Sequence, residues 1–309
     1  MLVPYRNRDG QLGAAEQIEP GDWVRVTAPD AADRAALSTL AIPDALLTHL
    51  TDIEERPRAR RIGDCVLAVL HFPHAQPAHA PAPYTTLPLS LIATPRNVAT
   101  VAPERAAFLD DIARGEIESG PPGDRARFVL QLMWALAQSY LAALEATQKE
   151  VGHLEERLKR SLRNREVLEL LRHQKSLVYF TTALTGNELV LERLHKGRLL
   201  PWTAEDEDLL EDVRIELQQA IEMVEIAEGI LAEMMDAFAS IVSNNLNGVM
   251  KVLTAATILL AIPTLVASLW GMNVTLPFGT APWAFAALCS GCALGVAVLA
   301  WLFRRRGWL

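Results

Sequence analysis

Two long uncharged runs close the chain: Val252 to Trp270, and Ala281 to Phe303. About 20 apolar residues cross the ~30 Å hydrocarbon layer of a bilayer, so each run predicts a transmembrane helix. Upstream the pattern changes to a heptad. Leu210, Val213, Leu217, Ala220, Val224, Ala227, Leu231, Met234, Phe238 and Ile241 recur at alternating spacings of three and four, which predicts a helix packed in a bundle or an oligomer. Thr203 is placed to cap that helix, with Asp206 three positions on. No proline follows until Pro263, so the stalk and the first span read as one helix over 204–270. Helical periodicity also covers Arg125 to about Arg163 and Glu166 to about Lys196, on either side of a basic stretch, Arg157 to Arg165.

The first part of the chain has a different rhythm. Residues 22–27, 65–72, 87–94 and 97–102 are β-branched or apolar runs bounded by Pro, Gly and Asp, which predicts strands, and 31–40 and 43–50 read as helices. A Gly-Pro-Pro-Gly break at 120–123 ends this region. The expected fold is therefore an α+β membrane protein. It has an N-terminal cytosolic α/β domain (1–120), a helical hairpin region (121–202) and a stalk helix (203–250). Spans follow at 251–270 and 281–303, joined by an outer loop (271–280), with a basic tail (304–309).

Charge fixes the expected topology. All 37 acidic residues and 25 of the 29 basic ones precede Met250, a formal charge of −12 for the soluble part, which excludes a nucleic-acid footprint. Lys251 precedes the first span and Arg304, Arg305 and Arg306 follow the second, while 271–280 carries no charge, so both termini are expected on the cytoplasmic side. Residues 1–21 hold several charges and no apolar run, so no cleavable leader is expected. Cys65, Cys289 and Cys292 suit a reducing compartment. Cys289 and Cys292 share a helix face, for which helix packing and metal ligation are the two readings.

A second stripe lies about 200° round from the heptad seam: Ser240, Ser243, Asn247, Met250, Thr254, Thr257, Ala261, Thr264 and Ser268. Within the span it is small or hydroxylated. Such residues either bond their own i−4 carbonyls at a helix interface or line water at membrane depth. The row ends at Gly271-Met272-Asn273, between the two spans. With no charge inside the membrane, a ring of Asn273 amide oxygens would supply selectivity by hydrogen-bonding the water shell of a cation. Mg²⁺ suits this because it dehydrates reluctantly. Met250 with Leu253 forms either an apolar constriction that gates by dewetting or ordinary packing.

Between Ala204 and Asp236 stand twelve acidic residues against one base, Arg214. Like charges at i, i+4 destabilise a helix, so they call for solvation, for bases from 151–200, or for bridging divalent cations. The seven histidines form no metal-ligand spacing, and no nucleophile or phosphate-loop signature is present, so no enzyme is expected.

Ser243-Asn-Asn-Leu-Asn-Gly-Val-Met-Lys-Val-Leu-Thr254, leading without a gap to Trp270-Gly-Met-Asn273, resembles the CorA family of magnesium channels. Glu54-Glu-Arg-Pro-Arg58, the strand end His71-Phe-Pro73 and Leu87-Pro-Leu-Ser-Leu-Ile92 are similar to that family's N-terminal domain. The resemblance implies a homopentamer in the inner membrane whose first spans line a pore for hydrated Mg²⁺. It implies Asn273 in Gly271-Met272-Asn273 as the outer selectivity residue, Asn247 as an inner polar ring, and Met250 with Leu253 as the gate. Thr264, with Thr257 and Ala261 on the same stripe, would line the pore, and Lys251 with Arg304, Arg305 and Arg306 would form a basic ring. Asp212 resembles a regulatory acid where bound Mg²⁺ favours closure, with Asp208 and Glu216 one turn to either side. Two departures stand out: Val274 to Gly279 carries no acid, and position 261 is Ala where a bulky Met is common. A zinc transporter, with or without proton coupling, or a Co²⁺ or Ni²⁺ transporter of the same superfamily therefore stays open, as does a membrane-anchored sensor or scaffold.

Overall fold

A computed structural model describes residues 1–8, 11–43, 46, 52–115, 121–160, 164–272 and 281–308. They fall into two compact units, Met1–Glu233 and Met234–Leu309.

The first unit is built on a seven-stranded sheet of order β2-β1-β3-β7-β6-β5-β4. The strands are β1 (Leu2–Arg8), β2 (Gln11–Ala14), β3 (Trp23–Thr27), β4 (Arg58–Ile62), β5 (Cys65–Ala75), β6 (Tyr84–Ala93) and β7 (Val98–Ala102). Only β3 and β7 pair in parallel; the other neighbours are antiparallel. Both faces of the central strands are covered, which is why β5 reads as an unbroken apolar run. Val24, Val26, Leu67 and Val69 face a core closed by Leu37 of α1 (Ala31–Ser38). Trp23 and Phe72 alternate to the other face, where Trp23 packs on Phe128 and Phe72 on Phe108. Those partners belong to α3 (Arg125–Arg160) and α2 (Ala107–Ala113). The helix α1 starts with a reciprocal cap in which Asp30 and Asp33 accept each other's backbone N–H.

The helix α4 (Asn164–Lys196) is fastened to the sheet by buried polar side chains that satisfy strand backbone. Asn187 accepts from His71 N–H and donates to His71 C=O, both at 2.8 Å, and the Tyr140 hydroxyl donates to the same carbonyl. Ser176 pairs in the same way with both backbone groups of Tyr84. Gly186 lets α4 approach the chain at Pro57; a Cβ there would lie 2.6 Å from the Pro57 ring.

The expected strands and the helix at 31–40 are present, while most of 43–50 lies outside the described residues. The strands β1, β2 and β4 and the short helix α2 were not expected. The sequences of β1 and β4 carry Arg6, Arg8, Arg58, Arg60 and Arg61, and β2 and β4 are the two edges of the sheet. Charged edge strands resist pairing with other chains and lose the apolar alternation that reveals a strand.

The long helix α5 (Ala204–Trp270) begins at the expected cap: the Asp206 carboxylate accepts from both the backbone N–H and the hydroxyl of Thr203. Its heptad seam is buried from Leu210 through Leu231. In the second unit α5 is accompanied by α6 (Ala284–Arg305).

Candidate functional site

Residues 241–250 of α5 are exposed on every side, Leu246, Val249 and Met250 included. Below them burial becomes periodic again. Ala255 is fully buried, and Ala256, Leu259, Ile262, Pro263, Val266 and Trp270 are partly covered, a stripe with helical spacing. Pro263, Val266 and Trp270 share an apolar groove of about 750 Å³ with Phe285, Cys289 and Cys292 of α6, so this is the face α6 covers.

The small and hydroxylated stripe lies on the other side. Asn247, Met250, Leu253, Thr254, Thr257, Ala261, Thr264 and Ser268 are all exposed in the single chain, as are Gly271, Met272 and Lys251. The Thr257 hydroxyl donates to Leu253 C=O and that of Thr264 to Leu260 C=O, each at 2.8 Å. These bonds fit packing at an interface and also fit a water-lined wall, because a donated hydroxyl turns its remaining lone pairs outward, toward the hydrogens of a cation's water shell. Pro263 has no N–H for Leu259 C=O, and the Thr264 hydroxyl serves the next carbonyl, Leu260, rather than the freed one. Asn273 and the loop through residue 280 lie outside the described residues.

In the acidic segment, Asp208 and Asp212 are exposed and Glu216 is half-buried. Several of the twelve acids have partners: Glu211 binds Arg214, Glu228 accepts from Thr181 of α4, and Asp206 serves the cap. Among the described residues one ion pair reaches this segment from another helix, Arg127 to Glu205 at 3.1 Å. Of the bases in 151–200, Arg157 bonds Glu166 and Glu169 of its own region and Arg172 donates to the Ala78 and Ala80 carbonyls. Arg214 sees further acids: the hydrogen bond it donates to Glu211 raises its pKa most, and Glu188 and Glu192 of α4 add to this. No group of three or more His, Cys, Asp or Glu able to hold a metal ion occurs among the described residues of one chain. Cys289 and Cys292 line the groove against α5 and are both free thiols.

The class defined so far is a membrane protein with an α/β domain, a long stalk helix and two apolar C-terminal helices. A family model described as "CorA-like Mg2+ transporter protein" matches residues 20–305, and the chain belongs to that family of divalent-cation transporters. A cobalt/magnesium transport protein CorA from Methanocaldococcus jannaschii is 32% identical over 176 residues, 56% of this chain and 55% of that protein. The matched part is thus about half of that relative's length. A zinc transport protein ZntB from Pectobacterium atrosepticum is 23% identical over 274 residues, 88% of this chain and 82% of its own. The complete structure of the Methanocaldococcus jannaschii CorA magnesium transporter superposes with a TM-score of 0.87 over 100% of this chain and 99% of that one, at 23% identity.

Proposed function

We propose that the protein is the subunit of a homo-oligomeric, pentameric channel that passes hydrated Mg²⁺ across the inner membrane, with both termini in the cytoplasm. The observation that carries this reading is the division of α5 into two faces. One face is covered by α6, and the opposite face, from Asn247 to Ser268, is polar or small apart from Met250 and Leu253 and is open in a single chain. Hydroxyls at membrane depth are stable where they contact water or a neighbouring subunit, and copies of α5 around an axis supply both. In this arrangement Asn273, in Gly271-Met272-Asn273, selects at the outer end, Thr264, Ala261 and Thr257 line the middle, and Asn247 rings the cytosolic end. Met250 and Leu253 form the apolar gate, beside the basic residues Lys251, Arg304, Arg305 and Arg306.

Flux through the reconstituted protein across Mg²⁺, Zn²⁺, Co²⁺ and Ni²⁺, with and without a pH gradient, tests the proposal. Mg²⁺ flux independent of the gradient and lost in Asn273→Ala is expected. Zinc uptake that requires the gradient, without Mg²⁺ flux, would replace it with a transporter of the kind named in the zinc relative. Unchanged permeability in Asn273→Ala would remove the selectivity role.

Regulation follows from the acidic segment. Asp208, Asp212 and Glu216 lie one turn apart on one face of α5 and make no complete metal site within one chain. A second subunit would supply the remaining oxygens, and cytosolic Mg²⁺ held there would favour the closed state. Millimolar Mg²⁺ is expected to protect the cytosolic domain from proteolysis, and Asp212→Ala to shift that protection to higher Mg²⁺. Superimposable protection curves would leave the segment as a solvated face.

A further inference from the structure

The cytosolic end of α6 is built in a way that the ion path does not require. Gly307 adopts a left-handed conformation, φ +68°. Its N–H donates to Arg304 C=O at 3.2 Å, and Trp308 N–H donates to Phe303 C=O at 2.9 Å. This is a Schellman stop, and its usual apolar contact is present, with the Trp308 ring stacked on Phe303 at 5.6 Å and 9°. The helix therefore ends in a fixed geometry at Arg304-Arg305-Arg306, where cations also complement the helix dipole.

Those three guanidiniums are exposed, and none has a carboxylate partner among the described residues. No acidic residue occurs in the sequence after Met250, so the second unit has few carboxylates of its own to offer them. Consecutive residues at a helix end point about 100° apart, so three of them sweep about 200° and cannot all face one axis. Arg305 is located further by Trp301, whose ring lies 5.4 Å below its guanidinium and is 57% exposed. Exposed tryptophan at the end of a span sits at headgroup level. Arginine paired with such an aromatic presents its free donors to whatever anion lies in that plane.

We propose that the Arg304-Arg305-Arg306 cap of α6, flanked by Trp301 and Trp308, is a binding site for anionic phospholipid headgroups of the leaflet it meets. Arginine suits the phosphate because its planar fork can donate two parallel hydrogen bonds. Basic residues immediately beyond a span draw anionic lipid by about five-fold each at low salt. The capped geometry removes the disorder that a free basic tail would have to lose on binding. The inference rests on the reading of α6 as a membrane span and is independent of which ion is carried.

The test uses the full-length protein in nanodiscs of equal phosphatidylglycerol and phosphatidylcholine, with the lipid retained through purification measured by native mass spectrometry. Retained phosphatidylglycerol should exceed phosphatidylcholine by at least about five-fold. The ratio should fall to about one in R304Q/R305Q/R306Q and stay raised in R304K/R305K/R306K. Single glutamine variants, which keep a basic flank and hence insertion, should each lose part of the preference. A wild-type ratio near one, or an unchanged ratio in the triple glutamine variant, would overturn the proposal. Displacement of the retained lipid by millimolar inorganic phosphate would also overturn it, by making this a free-anion site. Failure of the span reading is distinguishable, because the protein would then be recovered in water without detergent.

Discussion

The helices α3 and α6 look alike by composition and behave differently. Each contains a window apolar and uncharged enough to cross a membrane, as does the end of α5. In α3 that window is 61% buried inside the chain; in α5 and α6 the figures are 6% and 0%. Phe128, Leu132, Met133, Leu136, Tyr140 and Leu144 of α3 meet the sheet and α4. Leu260, Leu265, Phe285 and Leu294 of the other two are largely exposed. Apolar surface left uncovered on the end of α5 and on α6 requires lipid or other subunits. Hydropathy identifies helices that must leave water, and only the packing decides what they leave it for.

The same substitution should therefore act through two different solvents. Leu136→Asp in α3 places a carboxylate at a fully buried position without a partner. The lost packing and the stranded charge should destabilise the first unit by about 4 kcal/mol or more, enough to prevent its folding. Leu294→Asp lies at a position 67% exposed in the chain, where an ordinary surface site would tolerate it. At the centre of a span it should instead cost about 3 kcal/mol of insertion free energy. Glycosylation-tag insertion assays and thermal unfolding of the detergent-solubilised protein separate the two. Normal insertion of Leu294→Asp would show that α6 does not cross the bilayer at this position.

Within the first unit the close packing of α4 depends on one contact. A Cβ at Gly186 would come within 2.6 and 2.9 Å of the Pro57 ring, which has little freedom to retreat. Gly186→Ala should lower stability by about 1–3 kcal/mol, despite the better helix propensity of alanine. Pro57→Ala added to it should recover most of the loss in thermal unfolding. An equal melting temperature for wild type and Gly186→Ala would mean that α4 does not approach the chain at Pro57 as closely as described.

How much could be read in advance differed between regions for physical reasons. The seam of α5 was legible because its apolar residues recur on one face from Leu210 to Ile241, and burial from Leu210 to Leu231 and again at Phe238 follows that row. The central strands were legible because burial on both faces makes them apolar throughout. The arginine-bearing strands β1 and β4 were not: on the edge strand β4 the charges that protect the sheet from other chains also hide its period, and on the interior strand β1 Arg6, which pairs with Asp22, interrupts it. For the site, the open stripe from Asn247 to Ser268 could be drawn from spacing alone. That α6 covers the opposite face could not, because it depends on pairing between helices separated by the loop. Bases of 151–200 were one of the ways open to offset the acids of α5, and Arg157 of that region pairs instead with Glu166 and Glu169.

The smallest predicted effect concerns pH and again divides the molecule. All seven histidines precede residue 196, and the chain after Met250 has neither histidine nor acid. Acid sensitivity of folding between pH 5 and 8 should therefore arise in the first unit. Burial lowers the pKa of His71 below its ordinary 6.5, opposed by its bond to Glu55 C=O. Burial likewise lowers that of His173, opposed by Glu150 and Glu169 and reinforced by Arg172. A folded-state pKa below the unfolded value means that the unfolded chain binds more protons, so stability is complete above about pH 6.5 and declines as the pH falls. Asp110 titrates in a separate window. Burial raises its pKa, but Arg105 and Arg25 outweigh that and hold it below 3.8, so its contribution is lost only in stronger acid. Moving from pH 7.5 to 5.5 should then cost on the order of 1 kcal/mol, read as a melting temperature lower by a few degrees. His173→Gln should flatten part of that slope while Leu294 variants leave it unchanged. A melting temperature constant or rising toward pH 5.5 would show that neither imidazole is held neutral by the fold.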